Sequence, residues 1–274
     1  MTLSLMFSPK KALIIQPSFS GYERALSAAG TKIEYIQLTK ASDYTNVQED
    51  ISQTILKTHP ELVIIANPNN PNGWTIDTDN GLSIINACNE VGAHLIVDEC
   101  FIELTDNGMD CSFAKLLNAS RGMVILRAFT KSFAVPGIRL GYGLCSDSML
   151  ASYIKSFLPE WNVSSVAQKM GIAALSINMD GYFTESRRMI STERQYLTDE
   201  LAELGMKVYP SRCNYILFED TFSGGNLKER LIRRHILIRD CSDYTGLDDG
   251  YYRIAVRDHQ ANEAFIKAMK EELS

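Results

Sequence analysis

The sequence lacks the features that mark several large classes of protein. No stretch approaches 18 consecutive uncharged apolar residues, which argues against a membrane span. Lysine and arginine number 27 against 33 aspartates and glutamates, and the resulting charge of −6 gives no general attraction for nucleic acid. The first seven residues are apolar but carry no basic stretch, and no cleavage site follows them. We therefore expect a soluble cytoplasmic protein that binds neither membrane nor nucleic acid.

Motifs for metals, disulfides and common nucleotide sites are also missing. The six cysteines are scattered with no C-x-x-C pair, which favours free thiols in a reducing compartment. The four histidines lack ligand spacing, so we expect no metal site. There is no G-x-G-x-x-G, Walker-type loop, G-x-S-x-G or H-E-x-x-H motif.

Short β-branched runs alternate with helical periods over the first half of the chain. Six runs are typical of buried strands, namely Ala12–Gln16, Lys32–Leu38, Leu62–Ala66, His94–Asp98, Met123–Arg127 and Arg139–Cys145. Three segments between them have helical spacing, namely Tyr22–Ala29, Val47–Thr58 and Asp79–Val91. The alternation predicts an α/β fold, a three-layer sandwich whose mostly parallel sheet carries helices on both faces.

The pattern changes after Cys145. Four segments are typical of helices, namely Ser165–Ser176, Tyr182–Leu204, Leu227–His235 and Gln260–Glu272. Four short runs are typical of strands, namely Lys207–Tyr209, Asn214–Glu219, Ile236–Arg239 and Tyr251–Val256. We therefore expect a large domain over residues 1–178 and a smaller α+β domain over residues 179–274.

Two polar segments follow strands of the predicted sheet. The turn N-P-N-N-P-N-G, Asn67 to Gly73, comes directly after one strand, and Asp98 ends the next. The carboxyl ends of parallel strands are where α/β sheets place ligands. A carboxylate at such an edge needs a partner, either a ligand or the cap of the next segment, because an unpaired buried charge is costly.

A lysine and several arginines stand out beside these segments. Lys131 lies just beyond a strand end in T-K-S-F-A-V-P-G-I-R-L-G-Y, at the sheet edge where Asp98 is expected. A desolvated lysine near other cations can act as an amine nucleophile toward a carbonyl. Arg239 and Arg253 lie in predicted strands, where a guanidinium favours an anionic ligand. For Arg257 we expect a structural salt bridge.

Taken together, these motifs resemble the pyridoxal-phosphate-dependent aminotransferases of class I/II, fold type I. The resemblance runs from about Pro9 to the C-terminus. It implies pyridoxal 5′-phosphate as cofactor, with Lys131 as the Schiff-base lysine that later moves protons at the substrate Cα. It implies that Asp98 keeps the pyridine nitrogen protonated, that Asn70 hydrogen-bonds the ring 3′-oxygen, and that Phe19 stacks on the ring.

The resemblance also implies the anion contacts. Thr130 and Arg139 match positions that hold the cofactor phosphate. Arg253 matches the arginine that binds the substrate α-carboxylate or an equivalent anion, and Arg239 matches one that binds a substrate phosphate. Phe101 stands where many members have a tyrosine, so we expect it to contact the cofactor without that hydrogen bond. The family's dimer implies a homodimer with sites at the interface.

The family's glycine-containing phosphate loop and N-terminal arm have no counterpart in the sequence. Three explanations stay open: a fragment, weak cofactor binding, or another segment that substitutes for the loop. Within the family, the segments around Lys131 and Arg253 are closer to the threonine-phosphate decarboxylases of corrin ring (cobalamin) biosynthesis than to the histidinol-phosphate aminotransferases. We expect decarboxylation of a small phosphorylated amino acid, with transamination as the alternative and a catalytically silent module as a second alternative.

Overall fold

The computed structural model describes residues 2–45, 48–222 and 226–273. Its ten strands are β1 (Lys11–Gln16), β2 (Lys32–Gln37), β3 (Leu62–Ala66), β4 (His94–Asp98), β5 (Met123–Ala128), β6 (Gly141–Cys145), β7 (Lys207–Val208), β8 (Tyr215–Glu219), β9 (Arg239–Asp240) and β10 (Tyr251–Ala255). Its ten α-helices are α1 (Thr2–Phe7), α2 (Ser20–Ala28), α3 (Gln48–Thr58), α4 (Thr78–Val91), α5 (Phe129–Ser132), α6 (Ser148–Phe157), α7 (Ser165–Leu175), α8 (Met179–Glu203), α9 (Leu227–Ile232) and α10 (His259–Leu273).

The strands form two sheets. Six strands in the order β2-β1-β3-β4-β5-β6 make the large sheet, in which only β6 runs antiparallel to its neighbour. Four antiparallel strands in the order β7-β8-β10-β9 make the small sheet. The predicted α/β fold with a mostly parallel sheet and a second α+β unit is confirmed.

Alternate residues of the parallel strands are buried on opposite faces of the large sheet. Leu13, Val63 and other residues of the same parity pack with side chains of α3 and α4 in the main core. Ala12, Leu62 and their neighbours of the other parity pack with Leu26 of α2 in a second core. Because both faces are covered, the strands consist of nearly continuous apolar residues, as the sequence shows. The expected three layers are therefore present.

Several predicted boundaries differ from the structure. The expected strand over 236–239 pairs with β10 only from Arg239 onward, and Leu237 before it is 78% exposed. Strand β6 begins at Gly141 because Arg139 has a left-handed backbone (φ 56°), which extended strands exclude. Helix α6, which the sequence analysis did not predict, begins after Asp147, whose side chain caps it. The predicted helix start at Val47 lies outside the described residues. No helix in the described part of the chain is long and apolar enough to cross a membrane.

Candidate active site

Asp98 ends β4, near the centre of the large sheet, between β3 and β5. Its Oδ2 accepts a 2.5 Å hydrogen bond from the Tyr22 hydroxyl, and its Oδ1 accepts one of 3.0 Å from the Cys100 backbone N–H. Burial raises the pKa of Tyr22 well above its ordinary value and the Asp98 charge raises it further, so this hydroxyl remains a donor. The carboxylate is therefore held in one orientation at the sheet edge. Tyr22 was not among the predicted site residues, because its partner Asp98 lies 76 residues away along the chain.

Lys131 lies in the single turn of α5, directly after β5. Its side chain is exposed, but its Nζ lies 5.1 Å from the centre of the Phe101 ring. Burial raises the pKa of the Cys100 thiol, the charge of Asp98 raises it further, and the charge of Lys131 lowers it. Both charges thus act on the same thiol. The structure brings Asp98, Cys100, Phe101 and Lys131 together at the carboxyl ends of β4 and β5.

The turn after β3 contains four asparagines, and Asn70 alone among them is not fully buried. Its Oδ1 accepts a hydrogen bond from an Nη of Arg253 and lies 3.5 Å from the Tyr244 hydroxyl. This contact joins the edge of the large sheet to the small sheet. The residues predicted to meet cofactor and substrate, Asn70 and Arg253, are in direct contact.

Arg239 and Arg253 face each other across β9 and β10. Like charges in this position repel unless anions compensate them. Arg239 is compensated by both carboxylate oxygens of Asp243, at 2.8 and 2.6 Å. Arg253 lies over the Tyr215 ring, 5.4 Å from its centre, and no carboxylate of the described residues pairs with it. Arg253 is therefore the arginine of this pair whose charge is open to an anionic ligand.

The remaining predicted residues have fewer contacts with Asp98 and Lys131. Phe19 is 47% exposed and contacts the Tyr22 ring edge-on at 5.6 Å, which places it beside the partner of Asp98. Thr130 is half-buried in α5, next to Lys131. Arg139 is exposed and donates to the Pro136 carbonyl at 3.1 Å. No contact within the described residues joins Thr130 or Arg139 to Asp98.

A cavity of about 810 Å³ extends from this group along the small sheet. Five lysines and arginines line it with a single carboxylate, that of Asp240; the cations are Lys131, Lys228, Arg239, Arg253 and Arg257. The salt bridge expected for Arg257 is not formed with any described residue. Only its backbone is bonded, to the buried Asn262. The cavity suits a ligand with more than one negative charge.

The fold and the site together define a pyridoxal-phosphate-dependent enzyme of the aminotransferase type. A family model for aminotransferases of class I and II matches residues 1–269, and the chain belongs to that family. Threonine-phosphate decarboxylase of Salmonella typhimurium is 30% identical, over 100% of this chain and 74% of the relative. Histidinol-phosphate aminotransferase of Caldanaerobacter subterraneus is 32% identical, over 94% of this chain and 70% of the relative.

A solved structure gives the same family and fold. The histidinol-phosphate aminotransferase from Clostridium acetobutylicum superposes with a TM-score of 0.90 and 32% identity, over 99% of this chain and 80% of its own. The expected family and its cofactor, pyridoxal 5′-phosphate, are thereby confirmed.

The donor set at the sheet edge fits that cofactor. A carboxylate fixed by two hydrogen bonds, that of Asp98, is a suitable acceptor for a protonated ring nitrogen. Lys131 offers an amine, Asn70 offers its amide N–H because its Oδ1 already accepts from Arg253, and Phe19 offers an exposed ring. For the phosphate, the resemblance points to Thr130 and Arg139, and Arg139 donates to the Pro136 carbonyl in this structure.

Proposed function

We propose that this enzyme decarboxylates a small phosphorylated amino acid, L-threonine O-3-phosphate in the first place, as a step of cobalamin biosynthesis. The observation that carries the proposal is the surplus of positive charge in the cavity around Arg253, which suits a substrate with a carboxylate and a phosphate. The name of the Salmonella typhimurium relative, aligned over the whole chain, supports the choice of reaction.

Each proposed role is the one that the family resemblance implies. Asp98 holds a proton on the cofactor ring nitrogen, Asn70 hydrogen-bonds the 3′-oxygen, Phe19 stacks on the ring, and Phe101 contacts the cofactor. Thr130 and Arg139 bind the cofactor phosphate. These six groups, with Lys131, form the proposed cofactor site.

The substrate is held by arginines of the small sheet. Arg253 binds the carboxylate and Arg239 contributes to phosphate binding by exchanging Asp243 for the substrate. Bound pyridoxal phosphate supplies an electron sink that stabilises negative charge at the substrate Cα. Arg253 and Arg239 orient the substrate, and the bond that they place for cleavage would be the one that breaks. If that bond joins Cα to the carboxylate, carbon dioxide would leave and the Lys131 amine would supply a proton to Cα.

A second candidate is transamination of the histidinol-phosphate type. The 32% identity with the Clostridium acetobutylicum structure favours it. In this case the arginines would place the Cα–H bond for cleavage, and the Lys131 amine would remove that proton.

The two candidates differ in their products. We expect the enzyme, supplied with pyridoxal phosphate and threonine phosphate, to release carbon dioxide without consuming a keto acid. Stoichiometric turnover of a keto acid with histidinol phosphate would establish transamination instead. Cofactor attachment is tested separately: the protein with pyridoxal phosphate gives a visible absorbance band that borohydride abolishes, and Lys131→Ala does not give it. A folded wild-type protein that stays colourless would contradict both candidates.

We further propose that the enzyme acts as a homodimer in the cytoplasm and that its domains divide at residues 178 and 179. The family supports the dimer, and the six free cysteines suit a reducing compartment. The proposed division falls at the start of α8, which leads into the small sheet. Sedimentation velocity tests the dimer, and limited proteolysis tests the boundary.

A further inference from the structure

The turn that carries Lys131 is too short to hold its own position. Helix α5 has four residues and no side-chain cap, and a single i→i+4 hydrogen bond, from the Phe133 N–H to the Phe129 carbonyl, closes it. One helical turn is not stable by itself. The direction of the Lys131 side chain therefore depends on contacts that α5 makes with the rest of the protein.

Ser132, the neighbour of Lys131, makes two such contacts although it is only 3% exposed. Its Oγ donates to Oε2 of Glu103 at 2.9 Å, and its carbonyl accepts from the Tyr182 hydroxyl at 3.0 Å. One bond leads to the segment that follows β4, and the other leads to α8. Ser132 thus connects the lysine turn to the segment after β4 and to helix α8.

Glu103 links Ser132 to residues at the end of β4. The Oε1 of Glu103 lies 3.9 Å from an Nη of Arg127, which is buried in β5. Arg127 donates through Nε and Nη2 to Oε2 of Glu99, at 3.1 and 2.8 Å. Glu99 is fully buried and directly follows Asp98. Buried charges are retained only when they are paired and hydrogen-bonded, so the Glu99–Arg127 pair is fixed, and Glu103 adds a longer ion pair to it.

We infer that Glu103 and Ser132 are positioning residues that set the Lys131 amine relative to Asp98. The series of contacts Glu99–Arg127–Glu103–Ser132 begins beside Asp98 and ends beside Lys131. The inference rests on the proposed role of Lys131, and none of these four residues is proposed to contact cofactor or substrate. The contacts keep the lysine turn at a constant distance from the end of β4.

Four variants separate this role from a general loss of stability. Ser132→Ala removes the donor and Glu103→Ala removes the acceptor, whereas Glu103→Gln retains an oxygen that accepts from the hydroxyl. Ser156→Ala is the matched control, because its hydroxyl bonds a carbonyl within α6, away from this chain of contacts.

In the protein without cofactor, we expect hydrogen exchange at the Phe133 and Ala134 amides to accelerate about tenfold in Ser132→Ala and Glu103→Ala. Both amides close the lysine turn, onto the Phe129 and Lys131 carbonyls. Glu103→Gln and Ser156→Ala should exchange as the wild type does. Unchanged exchange in Ser132→Ala and Glu103→Ala would overturn the inference whether or not the proposed reaction is correct.

With pyridoxal phosphate bound, the pH midpoint of the visible band should move in Ser132→Ala and Glu103→Ala. Ser132→Ala is the decisive variant, because both Glu103 variants also remove a charge that acts on the site residue Cys100. We expect kcat to fall by about tenfold to a hundredfold in Ser132→Ala and Glu103→Ala, because small displacements of a reacting group have such effects. A purely structural role would lower the unfolding midpoint in urea without moving the band. A band that behaves alike in Ser132→Ala and Ser156→Ala would also overturn the inference.

Discussion

The Cys100 thiol reports the charges of Asp98 and Lys131 without any cofactor. Burial raises the pKa of Cys100, the charge of Asp98 raises it further, and the charge of Lys131 lowers it. The thiolate is the form that reacts with iodoacetamide, so the alkylation rate follows the thiolate fraction. Two substitutions should therefore change the rate in opposite directions. Asp98→Asn should accelerate alkylation, and Lys131→Ala should slow it.

The size of each effect follows from the distances at which charges act. A charge within about 4–6 Å shifts a pKa by about one to three units, and each unit changes the thiolate fraction tenfold below the pKa. We expect Asp98→Asn to raise the rate at pH 8 about tenfold or more. Lys131 has the smaller influence, so its removal should lower the rate by a smaller factor than Asp98→Asn raises it.

The second half-buried thiol, Cys145, provides the matched control. Burial raises its pKa and the charge of Asp147 raises it further, with no contribution from Asp98. Asp147→Asn should therefore accelerate Cys145 alone, and Asp98→Asn should accelerate Cys100 alone, as mass spectrometry of alkylated peptides can measure. If Lys131→Ala accelerated Cys100 or left it unchanged, the amine would not lie beside the acid and the proposed site would be wrong.

Three further predictions concern stability and binding. Glu99→Gln replaces the carboxylate that pairs with the buried Arg127 by a neutral amide. It should lower the free energy of unfolding, measured in urea, by about 3 kcal/mol. Gly73→Ala places a Cβ about 2.1 Å from the Ser211 hydroxyl at a φ of +74° and should cost about 1–3 kcal/mol, measured in the same way. Arg253→Gln should raise KM for the phosphorylated amino acid at least tenfold, because a charge-assisted hydrogen bond contributes about 1.5–3 kcal/mol. An unchanged KM would remove Arg253 from the substrate site.

The sequence predicted those features that depend on local pattern. Buried parallel strands are continuous apolar runs, so β1, β3, β4 and β5 were found within one residue of their ends. The outer strand β2 has a single buried residue and was found equally closely from its β-branched residues. Asp98 and Lys131 were found because each follows such a run at the same edge of the sheet. Tyr22 and Glu103 were missed because their partners lie 76 and 29 residues away along the chain. Nothing in a single sequence shows that a tyrosine or glutamate has a distant partner.

The asparagine turn after β3 is a second case in which the sequence alone does not show which residues have distant partners. In the sequence its four asparagines are equivalent turn residues, and only the resemblance to a family singled out Asn70. In the structure, Asn67 bonds the Cys111 carbonyl, Asn69 bonds the Pro17 carbonyl, and the buried Asn72 bonds the Tyr44 carbonyl. These three amides fold the turn, because buried amides require partners. Asn70 alone turns its oxygen toward Arg253 of the other sheet. Packing therefore divides the motif into three asparagines that build the turn and one that contacts the arginine of the proposed substrate site.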